Sequence, residues 1–155
     1  MEQTPMTKQG YENLKKELER LKRIERPENI KAIETARAHG DLSENAEFHA
    51  AKERQSFIEG RIEALGYKLG TADIIDTDKL PKDRVVFGSR VLVENVDTGE
   101  STEYQLVGPD ESDVNAGRIS VTSPIGKALI GKKVFDELTV QVPSGKRSYE
   151  IVEIL

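Results

Sequence analysis

The stretch Ala38-His39-Gly40-Asp41-Leu42-Ser43-Glu44-Asn45 separates two helical periodicities and decides how the first half of the chain folds. Gly40 suits the left-handed position that follows a helix C-terminus, and Asp41 suits the N-cap of a second helix. Upstream, Tyr11, Leu14, Leu18 and Leu21 step by three and four residues, and Ile30, Ile33 and Ala36 resume the stripe after a charged interval. This predicts one long helix from Met6, locally disturbed at Pro27. Downstream, Phe48, Ala51, Gln55, Ile58, Ile62, Leu65 and Leu69 alternate three- and four-residue steps, the spacing of a coiled-coil seam. The two helices are expected to fold back antiparallel. At about 1.5 Å per residue, the helix from Tyr11 to Ala38 makes an arm on the order of 40 Å long.

Beyond Gly70 the period changes from helical to two. Candidate strands are Val85-Phe87, Arg90-Val96, Thr102-Val107, Arg118-Thr122, Leu138-Val142 and Ser148-Ile154, with one short helix over Pro124-Ile130. Turn residues stand at Asp97-Thr98-Gly99 and Pro143-Ser144-Gly145. The polar run Asp73-Asp83, with Pro81, reads as a linker. The expected class is α+β: a helical hairpin domain over 1–76, then a β-rich domain with one helix over 77–155.

Composition narrows the function classes. The chain has 155 residues, of which 33% are charged, 36% apolar and 5% aromatic, with no Trp, as suits an elongated helical segment beside a modest core. A net charge of −5 argues against autonomous binding of duplex DNA. The absence of cysteine excludes disulfides, thiolate nucleophiles and thiolate-bound zinc. No apolar run is long enough to span a membrane, and the first 25 residues are too charged for a signal-peptide core, so a cytoplasmic protein with no membrane partner is expected. No P-loop, zinc-binding His pair, Ser-His-Asp set or dinucleotide loop is present, so the chain carries no self-contained catalytic machinery.

The tip between the helices is the informative site. Asp41 and Glu44 match a capping box, in which each side chain satisfies an orphan backbone N–H at the positive end of a helix. The alternative is that both present oxygen to a divalent cation; two carboxylates alone leave an Mg²⁺ shell incomplete, so a partner would have to supply the rest. His39 and His49 have no second imidazole at ligand spacing, and Phe48 falls on the seam and reads as core. Arg37 and Lys52 flank the tip and are candidates for a phosphate backbone, with helix solubility as the competing reading. Lys15 to Arg37 holds eight basic residues against five acids, either a positive flank or a solvated face of i,i+4 pairs. In the second half, Ser123-Pro124-Ile125-Gly126-Lys127 opens a short helix that either packs on its own sheet or docks another protein.

The run from Ala36 to Glu53, with Gly40-Asp41-Leu42-Ser43-Glu44-Asn45-Ala46-Glu47-Phe48 at its centre, resembles the signature of the bacterial Gre family of transcript cleavage factors. Pro5-Met6-Thr7, Arg26-Pro27-Glu28 and Ser123 through Gly131 fall where that family has similar segments, so the likeness covers the whole chain. It implies an N-terminal antiparallel coiled coil and a C-terminal domain similar to the FKBP fold. It also implies insertion of the coiled coil through the secondary channel of bacterial RNA polymerase, with the C-terminal domain on the channel rim and Ser123, Pro124, Ile125, Gly126 and Lys127 as docking candidates. In this picture Asp41 and Glu44 help to hold an Mg²⁺ shared with the polymerase active site, with no metal bound stably by the free monomer. The polymerase then cleaves its own backtracked RNA, whose 3′ segment Arg37 and Lys52 contact. Phe48 stands where the family often has Tyr, so a role for a phenolic hydroxyl is lost. With no Trp, and only Phe87, Tyr104, Phe135 and Tyr149 as aromatics in the C-terminal half, the resemblance implies no isomerase activity. Competing readings are a channel-blocking inhibitor without cleavage and a chaperone or scaffold with a coiled-coil arm; intact tip acids and a regular seam weigh against both.

Overall fold

The computed structural model describes residues 3–40 and 45–155. The chain divides into two units, one made of the residues up to Thr4 with Tyr11–Ala72, the other of Pro5–Gly10 with Asp73–Leu155.

The helical hairpin consists of α1 (Lys8–Arg20), a π turn (Leu21–Glu25), α2 (Arg26–Ala38) and α3 (Ala46–Gly70). The disturbance expected at Pro27 lies just upstream of it, in the π turn, while Pro27 itself occupies the first turn of α2. Proline has no N–H and its ring crowds the carbonyl four residues back, and a widened turn before it removes both conflicts without breaking the rod. The π turn inserts one residue and so rotates everything after it. This corrects the expected stripe: Leu14, Leu21, Ile33 and Ala36 are buried, but Ile30 is 46% exposed and Asn29, at 5%, takes its place facing α3. The Asn29 Oδ1 has no hydrogen-bond partner among the described residues, a cost accepted at that position because the phase shift leaves no apolar residue to fill it.

The α3 seam follows its periodicity. Ile58 and Leu65 are fully buried, and Phe48, Ala51, Gln55, Ile62 and Leu69 are half-buried. Phe48 is therefore less enclosed than the core position expected for it. Ion pairs bracket the seam and show its antiparallel sense. Arg61 makes a two-pronged pair with Glu17, at 2.9 and 3.0 Å, and Arg26 does the same with Glu59, at 2.8 Å through each prong. Arg54 pairs with Glu25 at 2.5 Å. The hydrogen bonds from Arg26 hold the Glu59 carboxyl below the ordinary carboxylate range.

Two expectations at the ends of the hairpin are corrected. Thr4–Thr7 is a strand, β1, so the first helix begins at Lys8 instead of Met6, with the Thr7 hydroxyl accepting from Gly10 N at 3.0 Å as a cap. Its partner β2 (Ala72–Ile75) occupies the start of the supposed linker, followed by a 3₁₀ turn over Thr77–Lys79. The alternation of polar and apolar residues in these short runs is too brief to be read as strand without its partner.

The second unit is a five-stranded mixed sheet in the order β5-β4-β3-β7-β6, with β3 (Arg90–Asn95), β4 (Ser101–Val107), β5 (Arg118–Ser120), β6 (Glu137–Val142) and β7 (Gly145–Ile154). Only β4 and β5 run parallel, and the β3–β7 register slips between Leu92 and Val93. Val85–Phe87, expected as a strand, is irregular: the Val86 N–H donates to the Ser89 hydroxyl at 2.9 Å, which curls the backbone into a turn at Gly88. Val85 nevertheless enters the core with Val91, Val93, Leu106, Ile119, Leu129, Leu138, Val140 and Ile151.

A short helix, α4 (Pro124–Leu129), covers this core. Ser123 is its N-cap, accepting from Gly126 N at 3.1 Å while its hydroxyl donates to the Ser120 carbonyl at 2.6 Å. Gly126 is buried, and a Cβ there would stand 2.1 Å from the Ser120 carbonyl oxygen. Beyond α4, Phe135 is 76% exposed at a φ of +74°, a backbone region that favours glycine.

Gly126→Ala is accordingly expected to destabilise the protein by about 2–3 kcal/mol, because its methyl meets backbone that cannot move aside. Lys127→Ala, on an exposed side chain, should stay within about 0.5 kcal/mol of wild type. Thermal melts of the full chain compare the two. Phe135→Gly should raise stability by about 0.5–1 kcal/mol by relieving the positive φ, and a lowered melting temperature would show that the ring makes a native contact after all.

Candidate functional site

The tip is built by the two helix ends that enter it. The last turn of α2 closes with His39 N donating to Ala36 O at 3.2 Å and Gly40 N to Arg37 O at 3.4 Å, and Gly40 then turns away with φ +120°. This is the positive-φ exit that the sequence assigned to Gly40. Asp41 and Glu44, the acids singled out from the sequence, lie outside the described residues.

The N-cap of α3 is Asn45, not Asp41. The Asn45 Oδ1 accepts from Phe48 N at 3.1 Å, and its Nδ2 donates to Ala36 O at 2.5 Å. One side-chain amide thus satisfies an orphan N–H at the start of α3 and a terminal carbonyl of α2. Sequence reasoning missed this residue because Asp41, Ser43 and Asn45 are all good N-caps, and only the position of the first helical turn chooses among them.

Arg37 and Phe48 meet across the same junction, with the guanidinium carbon 5.8 Å from the ring centroid. That distance is within cation–π range and accounts for the half-buried state of Phe48. Phe48 also sits edge-to-face with His49, their centroids 5.8 Å apart. Lys52 is exposed one turn further along α3, and its Nζ donates to Gln55 Oε1 at 3.0 Å. Within the basic flank, Arg26 engages Glu59 across the hairpin and Arg23 engages Glu19 at i,i+4 spacing, the second being the kind of pair the solvated-face reading expects.

Among the described residues, no group of three or more His, Asp or Glu side chains could hold a metal ion, and no helix is long and apolar enough to cross a membrane. In the second unit, Ser123 and Gly126 are engaged in the fold, Ile125 packs against the core, and Pro124 and Lys127 are left exposed on α4.

Comparison with known proteins covers nearly the full length. Residues 4–74 match the family described as "Transcription elongation factor, N-terminal", and residues 80–155 match "Transcription elongation factor, GreA/GreB, C-term". The chain is 59% identical over 150 residues to "Transcription elongation factor GreA" of Thermodesulfovibrio yellowstonii, covering 97% of this chain and 95% of that one. To the protein of the same name from Syntrophus aciditrophicus it is 57% identical over 154 residues, covering 99% and 96%. Among solved structures, GreA factor homolog 1 (Gfh1) of Thermus thermophilus is 35% identical over 99% of both chains, with a TM-score of 0.44. With both halves matched in order and identity above one half across the length, this chain belongs to the GreA/GreB family of transcription elongation factors.

Proposed function

We propose that this elongation factor acts by inserting its helical hairpin into the secondary channel of bacterial RNA polymerase, where Asp41 and Glu44 assist cleavage of backtracked RNA. The observation that carries the reading is the hairpin itself: two long helices in antiparallel register, ion-paired along both flanks, with the acid-bearing residues 41–44 between their ends.

Such an arm has the length and stiffness to carry side chains into a narrow channel. Its helices hold their backbone hydrogen bonds internally, and α3 alone spans roughly 37 Å. The donor chemistry at the tip suits a hard cation, since Mg²⁺ takes oxygen ligands and commonly one or two protein carboxylates. Asp41 and Glu44 would hold the ion only together with polymerase carboxylates, which makes the activity conditional on the partner. A bound Mg²⁺ there supplies activation of a water and stabilisation of the leaving 3′ oxygen. This chain's own residues contribute charge and placement. Arg37 and Lys52, on opposite sides of the tip, are positioned along the chain to meet phosphates of the extruded 3′ segment; a guanidinium stacked on a ring keeps its in-plane N–H donors for that purpose. In the second unit, Pro124 and Lys127 are the exposed members of the docking segment for the channel rim, while Ser123 and Gly126 keep α4 in place.

Adding the full-length protein to a backtracked elongation complex with Mg²⁺ should release short 3′ RNA fragments, and Asp41→Ala/Glu44→Ala should reduce the rate by at least about 100-fold while still competing with wild type for the polymerase. Equal fragment release by both proteins would remove the acids from the mechanism.

A further inference from the structure

We infer that Asn45 is the positioning residue of the tip, setting the separation of the two helix ends that carry residues 41–44; the inference rests on the reading of Asp41 and Glu44 given above. Its side chain is the described polar link between the last turn of α2 and the first turn of α3, with Nδ2 on the Ala36 carbonyl and Oδ1 on the Phe48 N–H. The two bonds demand a donor and an acceptor on one short planar group. Among residues that make good N-caps only asparagine has both on separate atoms of an amide: aspartate offers two acceptors, and a serine hydroxyl, which can donate and accept at once as Ser123 does, does so from one atom on a shorter side chain.

The need for such a link follows from how the seam is distributed. On α3 the fully buried seam residues are Ile58 and Leu65, and toward the tip Phe48 and Ala51 are only half-buried. Ala36, on α2, is buried, but its methyl offers little surface. Apolar packing therefore holds the middle of the hairpin firmly and its end weakly. The Arg37–Phe48 stack joins the same two ends, but a ring and a flexible cation about 6 Å apart tolerate sliding that a pair of directional hydrogen bonds does not. Two carboxylates that must act on one ion lose effect steeply when their support loosens, since a misplacement of about 1 Å can cost on the order of 100-fold in rate. An amide that pins both ends of a short connecting segment is the kind of support such a pair requires.

The test compares Asn45→Asp and Asn45→Ser with wild type. Both substitutes preserve an N-cap for α3; aspartate has no donor for Ala36 O, and serine, one atom shorter, places its only oxygen on the Phe48 N–H and away from that carbonyl. Each full-length variant is assayed for helicity and melting temperature, for competition with wild type for the polymerase, and for fragment release from a backtracked complex across a range of Mg²⁺ concentrations. The expected result is unchanged helicity and competition within about twofold, with cleavage slowed roughly tenfold and half-maximal rate shifted to higher Mg²⁺. Wild-type cleavage by both variants at every Mg²⁺ concentration, while Asp41→Ala/Glu44→Ala is inactive, would overturn the role of Asn45 alone. Wild-type cleavage by the acid double variant would instead overturn the reading on which it rests. Loss of helicity in both Asn45 variants would also overturn it, by showing that the residue serves folding and not placement.

Discussion

Two helices packed side by side have only a narrow strip of surface to bury, and that strip must stay in phase from one end to the other. In this hairpin the phase is interrupted by Pro27, whose missing N–H and bulky ring cannot be absorbed by an unperturbed α-helix. The π turn over Leu21–Glu25 resolves the conflict by adding a residue to one turn. The rod stays continuous, but its buried face is displaced by one position, so that Asn29 and not Ile30 meets α3. Everything beyond the π turn, including Ile33, Ala36 and the tip, takes its orientation from that adjustment. The ion pairs of Glu17, Glu25 and Arg26 with α3 flank the strip and fix its register; individually such surface pairs contribute little to stability, but like charges brought opposite by a slip would oppose it.

The consequence for function lies in how this support fades toward the tip. Apolar burial is complete at Ile58 and Leu65 and partial at Ala51 and Phe48, where directional polar contacts take over. Asn45 binds both helices, and Arg37 covers the ring of Phe48. Arg37, the candidate for phosphate contact, and Phe48, the residue expected in the core, are thus partners of each other. Arg37 stays exposed while it covers the ring, so the contact does not bury its charge.

The second unit obeys different physics. Its strands alternate inward and outward, the inward set forms one core, and α4 closes over it because Gly126 lets the helix approach the Ser120 carbonyl. That approach engages Ser123 and Gly126 in the fold and exposes Pro124 and Lys127, so the segment is both a structural lid and a surface. Phe135, held at positive φ without burial, receives no packing in return within this unit.

Much of this was legible in the chain itself. The change of period near Gly70, the seam from Phe48 to Leu69, the exit at Gly40 and the helix begun by Ser123-Pro124 follow from local chemistry, because period, caps and turns act over a few residues. The short strands Thr4–Thr7 and Ala72–Ile75 were not legible, since each exists only through its pairing with the other. Nor was the irregular path of Val85–Phe87, where the Ser89 hydroxyl competes for the backbone. At the tip, the sequence reading chooses Asp41 as the N-cap, and the structure gives the role to Asn45, because which of several capping residues is used depends on where the first helical turn begins. The sequence by itself determined that there is a hairpin, a β-rich unit and an acidic segment between two helices. Tertiary structure decided which face of α2 is buried, which cap starts α3 and what holds the tip together, because those depend on groups distant along the chain meeting at one place.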